Sequence, residues 1–366
     1  MFNSFYKNKK VLVTGHTGFK GSWLVSWLNK LGADVYGFSK DLLPFPSHFH
    51  LLNLDNKISH MIGDIRDRKL LFEIIEDIKP DVIFHLAAQA IVSTSYSDPL
   101  ETISTNVMGT ANILDCLRKI NYKCASVIIT SDKCYENKEW LWGYKETDQL
   151  GGKDIYSSSK ASAELIIRSY LESFFKKDSN AAIAVARAGN VIGGGDWAKD
   201  RIVPDIFRSW SNDQVVEIRS PGSTRPWQHV LEPLSGYLTL GEKLWKSKKF
   251  HSEVYNFGPL PNADNSVLQL VKNLFVHWNN KNLKNYYSII EDNKFGESNL
   301  LKLNCEKAYS ELSWIANLNF EKTAEFVGKW YYDYYISKKN VQEITLNNIK
   351  AYEEFAKENK IKWAHD

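Results

Sequence analysis

Three glycines spaced three apart, Gly15, Gly18 and Gly21, constrain this chain more than any other feature. They follow the apolar run Lys10–Thr14 and open the segment Phe19–Leu31, where Trp23, Leu24, Trp27, Leu28 and Leu31 recur at helical spacing. A strand that turns at once into a helix through glycines makes a tight crossover. The bare backbone there leaves room for a phosphate at the positive end of the helix. The GxxGxxG spacing therefore predicts the first βα unit of a dinucleotide-binding sheet, with Gly15, Thr17, Gly18, Phe19 and Gly21 against the cofactor.

The alternation continues. Short apolar strands are predicted at Asp34–Phe38, Lys57–Ile62, Asp81–Leu86, Ala125–Thr130 and Ala181–Ala186, with helices at Arg68–Ile78, Pro99–Ile120 and Ile155–Phe175. This pattern implies an α/β fold, a doubly wound parallel Rossmann-type sheet covered on both faces. After about Gly189 the alternation weakens: glycines, prolines and tryptophans crowd Gly193–Trp227, and Asn262–Asn304 is rich in asparagine. A length of 366 residues leaves room for a smaller mixed α/β C-terminal substrate domain. Residues 1–189, with a returning part of about 226–260, are expected to form the dinucleotide-binding domain; about 190–225 and 261–366 form the substrate domain, interleaved with it. The aromatics Trp330–Tyr332 and Tyr334–Tyr335 fit a helix face packed on that second domain.

Composition removes several classes. Lys plus Arg exceeds Asp plus Glu by 46 − 43 = 3, and the clusters Lys7–Lys10 and Lys246–Lys249 read as solvated faces, so no nucleic-acid partner is expected. No apolar run approaches the roughly 18 residues of a membrane span, and Val11–Val13 is too short for a signal-peptide core. Cys116, Cys124, Cys134 and Cys305 form no CxxC pair, which favours reduced thiols and a cytoplasmic protein. His48 and His50 have no third ligand near them, so no metal is assigned, and His85 and His229 read as core histidines.

Candidate chemistry gathers at strand ends. Where the second strand stops, an acidic residue normally accepts from the ribose of NAD. This chain has Ser39 there, followed by Lys40 and Asp41. Serine can still bond the ribose hydroxyl and Asp41 can reach it, while Lys40 can meet a 2′-phosphate; NAD is preferred. The pattern YxxxK occurs at Tyr156–Lys160 but also at Tyr6–Lys10, Tyr334–Lys338 and Tyr335–Lys339. Only Tyr156 opens a helix after the fifth strand and its long loop, where a parallel sheet aims it at the nicotinamide. Spacing i, i+4 puts Tyr156 and Lys160 on one helix face, and the lysine charge is expected to lower the tyrosine pKa toward the working range. Ser131, Asp132 and Lys133 follow the fifth strand, supplying a hydroxyl, an acid and an amine beside that tyrosine.

The segments GHTGFKGSWL, TSDKCYEN, YSSSKASAE, RAGNVIGGGDW and RPWQHVLEPLSGYL resemble, in order and over more than half the chain, those of CDP-glucose 4,6-dehydratases. These are a branch of the extended short-chain dehydrogenase/reductase family, to which the glycine spacing also points. The resemblance implies a hydro-lyase with bound NAD that converts CDP-glucose into CDP-4-keto-6-deoxyglucose, feeding deoxysugar synthesis for cell-surface polysaccharide such as lipopolysaccharide O-antigen. It places adenine contacts at Asp64 and Ile65 and sets Leu86, Ala87 and Ala88 toward the cofactor ribose. Asn190, Arg201 and Arg225 fall on the nucleotide-sugar, the arginines as diphosphate clamps. Tyr156 and Lys160, with Ser131 on the hydroxyl being oxidised, would serve oxidation at carbon 4. Asp132 would act as acid and Lys133 as base in the elimination. A free lysine is neutral in about one molecule in 2,500 at pH 7, so Lys133 as a base needs its pKa depressed; otherwise it stabilises an enolate. The two long helices Pro99–Ile120 and Ile155–Phe175 resemble those that pair family members into dimers. Two rivals stay open: a sugar-nucleotide 4-epimerase, which needs no pair like Asp132–Lys133, and a non-catalytic NAD(H)-sensing protein on the same fold.

Overall fold

A computed structural model describes residues 1–176, 178–260, 264–278, 283, 285–290 and 300–365. Its centre is a seven-stranded parallel sheet. Strands β1 (Lys10–Thr14), β2 (Asp34–Ser39), β3 (Ser59–Ile62), β4 (Val82–His85), β5 (Cys124–Ile129), β6 (Ala181–Ala188) and β7 (Val254–Phe257) lie in the order β7-β6-β5-β4-β1-β2-β3. Helices α1 (Phe19–Lys30), α2 (Arg68–Ile78), α3 (residues 99–117) and α4 (Ile155–Phe174) make the crossovers. Six of these strands follow the expected pattern, with ends shifted by a residue or two. The seventh, the four residues of β7, pairs from Val254 opposite Val185 to Phe257 opposite Ala188.

Alternate residues feed two cores, which is why the strands read as unbroken apolar runs. Val11 and Val13 of β1, Val82 and Phe84 of β4, and Ala182, Ala184 and Ala186 of β6 pack on one face. Leu12, Ile83, Ile183 and Val185 pack on the other, under α2, α3 and α4. Trp23, Leu24, Trp27 and Leu28 of α1 are fully buried in the first core. Each of these indoles contributes on the order of 3 kcal/mol by leaving water. Helix α6 (Leu231–Lys246) reaches the same face; a Cβ on its Gly236 would lie 2.2 Å from the Phe257 ring, so only glycine lets helix and sheet approach this closely.

The expected continuous helix Pro99–Ile120 is instead Pro99–Ile103, a π turn at Ser104–Met108, and Gly109–Leu117, together α3. The wide turn carries Asn106, whose amide group is buried between the Gln89 backbone and the Ser159 hydroxyl (2.8 and 2.9 Å). One side chain thereby ties the end of β4 to α4.

Beyond β6 the chain builds a second layer over the carboxyl ends of the strands. It contains α5 (Ile202–Trp210), α7 (Val267–Trp278), α8 (Phe320–Tyr335) and α9 (Val341–Glu358), with short strand pairs such as Val216–Ile218 against Tyr287–Ile289. Trp330 and Tyr331 of α8 are fully buried; the Trp330 ring occupies the space a Cβ on Gly194 would need. Helix α9 docks on α1 through Glu353, which accepts from Trp27 Nε1 at 2.9 Å and pairs with Lys30. Of the asparagine-rich stretch 262–304, residues 262–263, 279–282, 284 and 291–299 lie outside the described residues.

Candidate active site

The strand order reverses between β1 and β4, and there the sheet and the overlying layer leave a cleft of about 1700 Å³. That is well above the 300–1,000 Å³ typical of a site for one small ligand, and it has room for a dinucleotide and a nucleotide-sugar together.

The glycine loop lines one end. Gly15 adopts φ +74°, and a Cβ there would lie 2.7 Å from the Ala87 nitrogen. A Cβ on Gly21 would lie 2.2 Å from the Gly15 carbonyl oxygen. The loop therefore keeps its shape only without side chains at these two positions. Gly18 caps α1 with no side-chain bond, so the first-turn amides face the cleft without intrahelical partners, which is the geometry that receives a pyrophosphate. Thr17, Phe19, Asp64, Ile65, Leu86, Ala87 and Ala88 line the same end. This cradle fits a dinucleotide.

The ribose position differs from a simple serine contact. Ser39 is buried; its Oγ lies 2.9 Å from His16 Nδ1 and accepts from the Thr17 amide at 3.4 Å. His16 Nε2 in turn meets His60 Nδ1 at 2.7 Å. Burial, then His60, pushes the His16 pKa down to about 3, so the ring is neutral. Ser39 thus holds the glycine loop while it lines the cleft. Lys40 Nζ lies 3.2 Å from Glu101 and 3.9 Å from Asp64, and Arg66 grips both carboxylates. Hydrogen bonding from Arg66 holds the Asp64 carboxyl below its usual range. The cation that could greet a 2′-phosphate is therefore already neutralised, and two carboxylates stand beside it.

At the centre, Ser131 caps the short 3-10 turn Asp132–Cys134 that follows β5. Its Oγ accepts from the Lys133 amide at 3.3 Å and donates to Asp132 Oδ1 at 2.9 Å. Asp132 is buried, with Oδ2 only 3.1 Å from where a Cβ on Gly189 would sit. Lys133 is half-buried on the cleft wall, and among the described residues no ion pair joins it to Asp132. Tyr156 begins α4, whose N-terminus is capped by Asp154 accepting from the Ser157 amide at 2.9 Å. Lys160, one turn on, places Nζ 5.9 Å from the Tyr156 ring centre. Both line the cleft.

The tyrosine electrostatics correct the sequence-based expectation. Burial first and the Asp132 carboxylate second push the Tyr156 pKa up to about 12, while Arg201 and a hydrogen bond from Ser131 pull against them. Burial pushes Lys160 down to about 8. Desolvation here outweighs the downward pull assigned to the lysine.

Asn190, Arg201 and Arg225 all face the cleft from the overlying layer. Arg201 is paired with Asp196 (2.9 Å), and Arg225 donates to the Thr224 carbonyl at 2.8 Å. His85 and His229 are buried, and burial pushes both down to about 3. Sequence reasoning passed over Lys20, the second residue of α1, which lines the cleft among the charges of Asp132, Arg201 and Lys160. Burial pushes it down to about 8, and its Nζ stands 6.0 Å from the Tyr237 ring centre. The available signal was a cation in a helix first turn, where the macrodipole disfavours it. Among the described residues there is no group of three or more His, Cys, Asp or Glu side chains able to hold a metal.

A doubly wound sheet with a glycine crossover, a helix-borne Tyr–Lys pair and a second layer over the crevice define the class: the extended short-chain dehydrogenase/reductase fold. Within it, the chain belongs to the GDP-mannose 4,6-dehydratase family, which it matches over residues 12–326. It is 45% identical to CDP-glucose 4,6-dehydratase of Salmonella typhimurium over 332 residues, covering 90% of this chain and 92% of the relative. Among solved structures it is similar to UDP-glucose 4-epimerase of Thermotoga maritima with UDP-glucose (TM-score 0.76, 22% identity, 89% and 99% of the two chains). It is also similar to dTDP-glucose 4,6-dehydratase of Bacillus anthracis in complex with NAD (TM-score 0.73, 22% identity, 88% and 96%).

Proposed function

We propose that this chain is a nucleotide-sugar 4,6-dehydratase that converts CDP-glucose into CDP-4-keto-6-deoxyglucose with NAD bound throughout, feeding deoxysugar synthesis for cell-surface polysaccharide. The observation that carries the reading is the juxtaposition, in one cleft, of the Tyr156–Lys160 pair and the Ser131–Asp132–Lys133 turn. A 4-epimerase has use for Ser131 but none for an acid–base pair like Asp132–Lys133. A protein that only senses NAD(H) has no use for either group. The 45% identity to the Salmonella enzyme supports the nucleotide assignment.

Gly15, Thr17, Gly18, Phe19 and Gly21 would hold NAD, which would supply a hydride acceptor for carbon 4 and a hydride donor for carbon 6. Tyr156, as its phenolate, takes the proton of the 4-hydroxyl, which Ser131 orients, and becomes the phenol; the positive charge of Lys160 favours the phenolate that accepts it. The 4-ketone acidifies the proton at carbon 5. Lys133, as the neutral amine, removes it, and Asp132, protonated for this step, gives its proton to the departing 6-hydroxyl, which leaves as water. Asn190, Arg201 and Arg225 hold the nucleotide and its diphosphate. Residues 1–189 with about 226–260 form the cofactor half, and about 190–225 with 261–366 the substrate half.

The test offers purified protein CDP-, dTDP-, UDP- and GDP-glucose, each with NAD or NADP, and follows loss of water by mass. CDP-glucose with NAD is expected to turn over without net reduction of the cofactor. Preference for dTDP-glucose would overturn the base assignment, and dehydration of none would overturn the class. Preference for NADP would overturn the argument from the neutralised Lys40.

Leu100, Ile103 and Met108 on α3 and Leu165 on α4 are exposed. Exposed apolar side chains on paired helices support a homodimer formed across them. Sedimentation should give a dimer, and Leu100→Asp with Leu165→Asp should give a monomer; an unaltered sedimentation coefficient would exclude this face. Among the described residues no helix is long and apolar enough to cross a membrane. The four cysteines are free thiols, the state that a reducing cytoplasm maintains, and we place the chain there.

A further inference from the structure

Behind the Ser131–Lys133 turn, on the side away from the cleft, lies an ion pair that the reaction as described does not use. Glu164 stands on α4 one turn beyond Lys160, and Arg187 stands on β6; each side chain is only 3% exposed. Arg187 Nε donates to Glu164 Oε1 at 2.7 Å, and its Nη2 donates to Oε2. The same Oε1 accepts from the Thr130 hydroxyl at 2.6 Å. On its other side, Arg187 Nη1 donates to the Tyr135 hydroxyl at 2.7 Å and to the Glu146 carbonyl at 3.2 Å. The Tyr135 hydroxyl in turn donates a hydrogen bond to Asn256 Oδ1 on β7 at 2.8 Å.

Thr130 and Tyr135 are the residues that flank the catalytic turn on either side. One buried ion pair therefore grips both ends of the segment that carries Ser131, Asp132 and Lys133. A buried pair of this kind is poor value as a stabiliser, because desolvating two charges offsets most of their attraction and apolar packing would serve as well. What a guanidinium fork on a carboxylate supplies is direction: its planar geometry fixes α4, β6 and the turn relative to one another. A turn without this grip could keep its fold and still drift by the ångström that costs about 10²-fold in rate.

We propose that Glu164 and Arg187, acting through the hydroxyls of Thr130 and Tyr135, are positioning residues that hold the Asp132–Lys133 turn against the Tyr156–Lys160 face of α4. The inference rests on the proposed dehydratase reading for its kinetic consequence, but not for its structural one. Tyr156 and Lys160 ride on α4 itself, whereas Asp132 and Lys133 ride on the gripped turn. Loosening the grip therefore slows elimination, which needs both Asp132 and Lys133, far more than oxidation, which draws from the turn only the orientation given by Ser131.

The experiment uses Thr130→Val and Tyr135→Phe, which remove one hydroxyl each and leave the ion pair in place, with Thr130→Ser as the conservative rescue. Mixed with CDP-glucose, both hydroxyl-deleted holoenzymes are expected to form bound NADH within threefold of the wild-type rate. They are expected to lose water at least tenfold more slowly, so that NADH accumulates. Thr130→Ser is expected to restore the wild-type partition. A merely structural role would lower both half-reactions in proportion to the folded fraction; that result, or an unchanged partition, would overturn the proposal. Hydrogen exchange of the free proteins, read by mass spectrometry, separates this inference from the functional reading. Peptides covering 130–136 should exchange faster in both variants while those covering 156–166 stay as in wild type. Should the wild type dehydrate no nucleotide-sugar, the functional reading fails and the exchange result alone decides the positioning claim; unaltered exchange at 130–136 defeats it.

Discussion

Tyr156→Phe is expected to abolish oxidation of the substrate, so that no bound NADH forms after mixing with CDP-glucose and no water is lost afterwards. The substitution keeps the ring in its buried place and removes only the oxygen that accepts the 4-hydroxyl proton. Loss of a positioned general base costs about 10²–10⁴-fold. The buried setting argues for the upper part of that range: the phenol stands at about 12 because burial and Asp132 oppose its ionisation. A water entering there would face the same desolvation and could not replace it cheaply. The check is single-turnover absorbance of the nicotinamide together with the thermal midpoint of the folded protein. An oxidation rate within tenfold of wild type, at unchanged stability, would remove Tyr156 from the mechanism.

Lys133→Met separates the two halves from the other direction. Methionine keeps much of the side-chain length and lacks the amine, and Lys133 is half-buried on the cleft wall, so the fold should tolerate it. Bound NADH is expected to form at a near-normal rate and then persist. Exchange of the carbon 5 proton with deuterated solvent should fall with the loss of water, both by about 10²–10⁴-fold. Near wild-type dehydration by Lys133→Met would show that lysine is not the base. Lys20 would then be the next amine to test, since it lines the same cleft, feels the Asp132 charge and is held by burial at about 8.

Several features were legible in the chain because their causes are local. The glycines at 15 and 21 are required by contacts within one crossover and its neighbouring strand end. The apolar runs of β1, β4, β5 and β6 announce strands covered on both faces because both faces feed a core. The cap at Asp154 and the i, i+4 spacing of Tyr156 and Lys160 belong to a single helix. Other features depend on partners distant in sequence. Four residues of β7 carry no period of their own and become a strand only by pairing with β6. The π turn in α3 reflects what Asn106 must reach on β4 and α4.

Sequence alone thus determined the class of fold and the glycine cradle, and singled out the candidate side chains that the cleft brings together, since each is written in local spacing. Only the tertiary structure decided how those side chains are charged and held. Ser39 is committed to His16, Lys40 is neutralised by Glu101 and Asp64, and Tyr156 is pushed up rather than down. Glu164 and Arg187 meet across 23 residues to grip a turn that neither borders in sequence. Desolvation and pairing are properties of what surrounds a group in space, and a linear chain records its neighbours in order but not their distances.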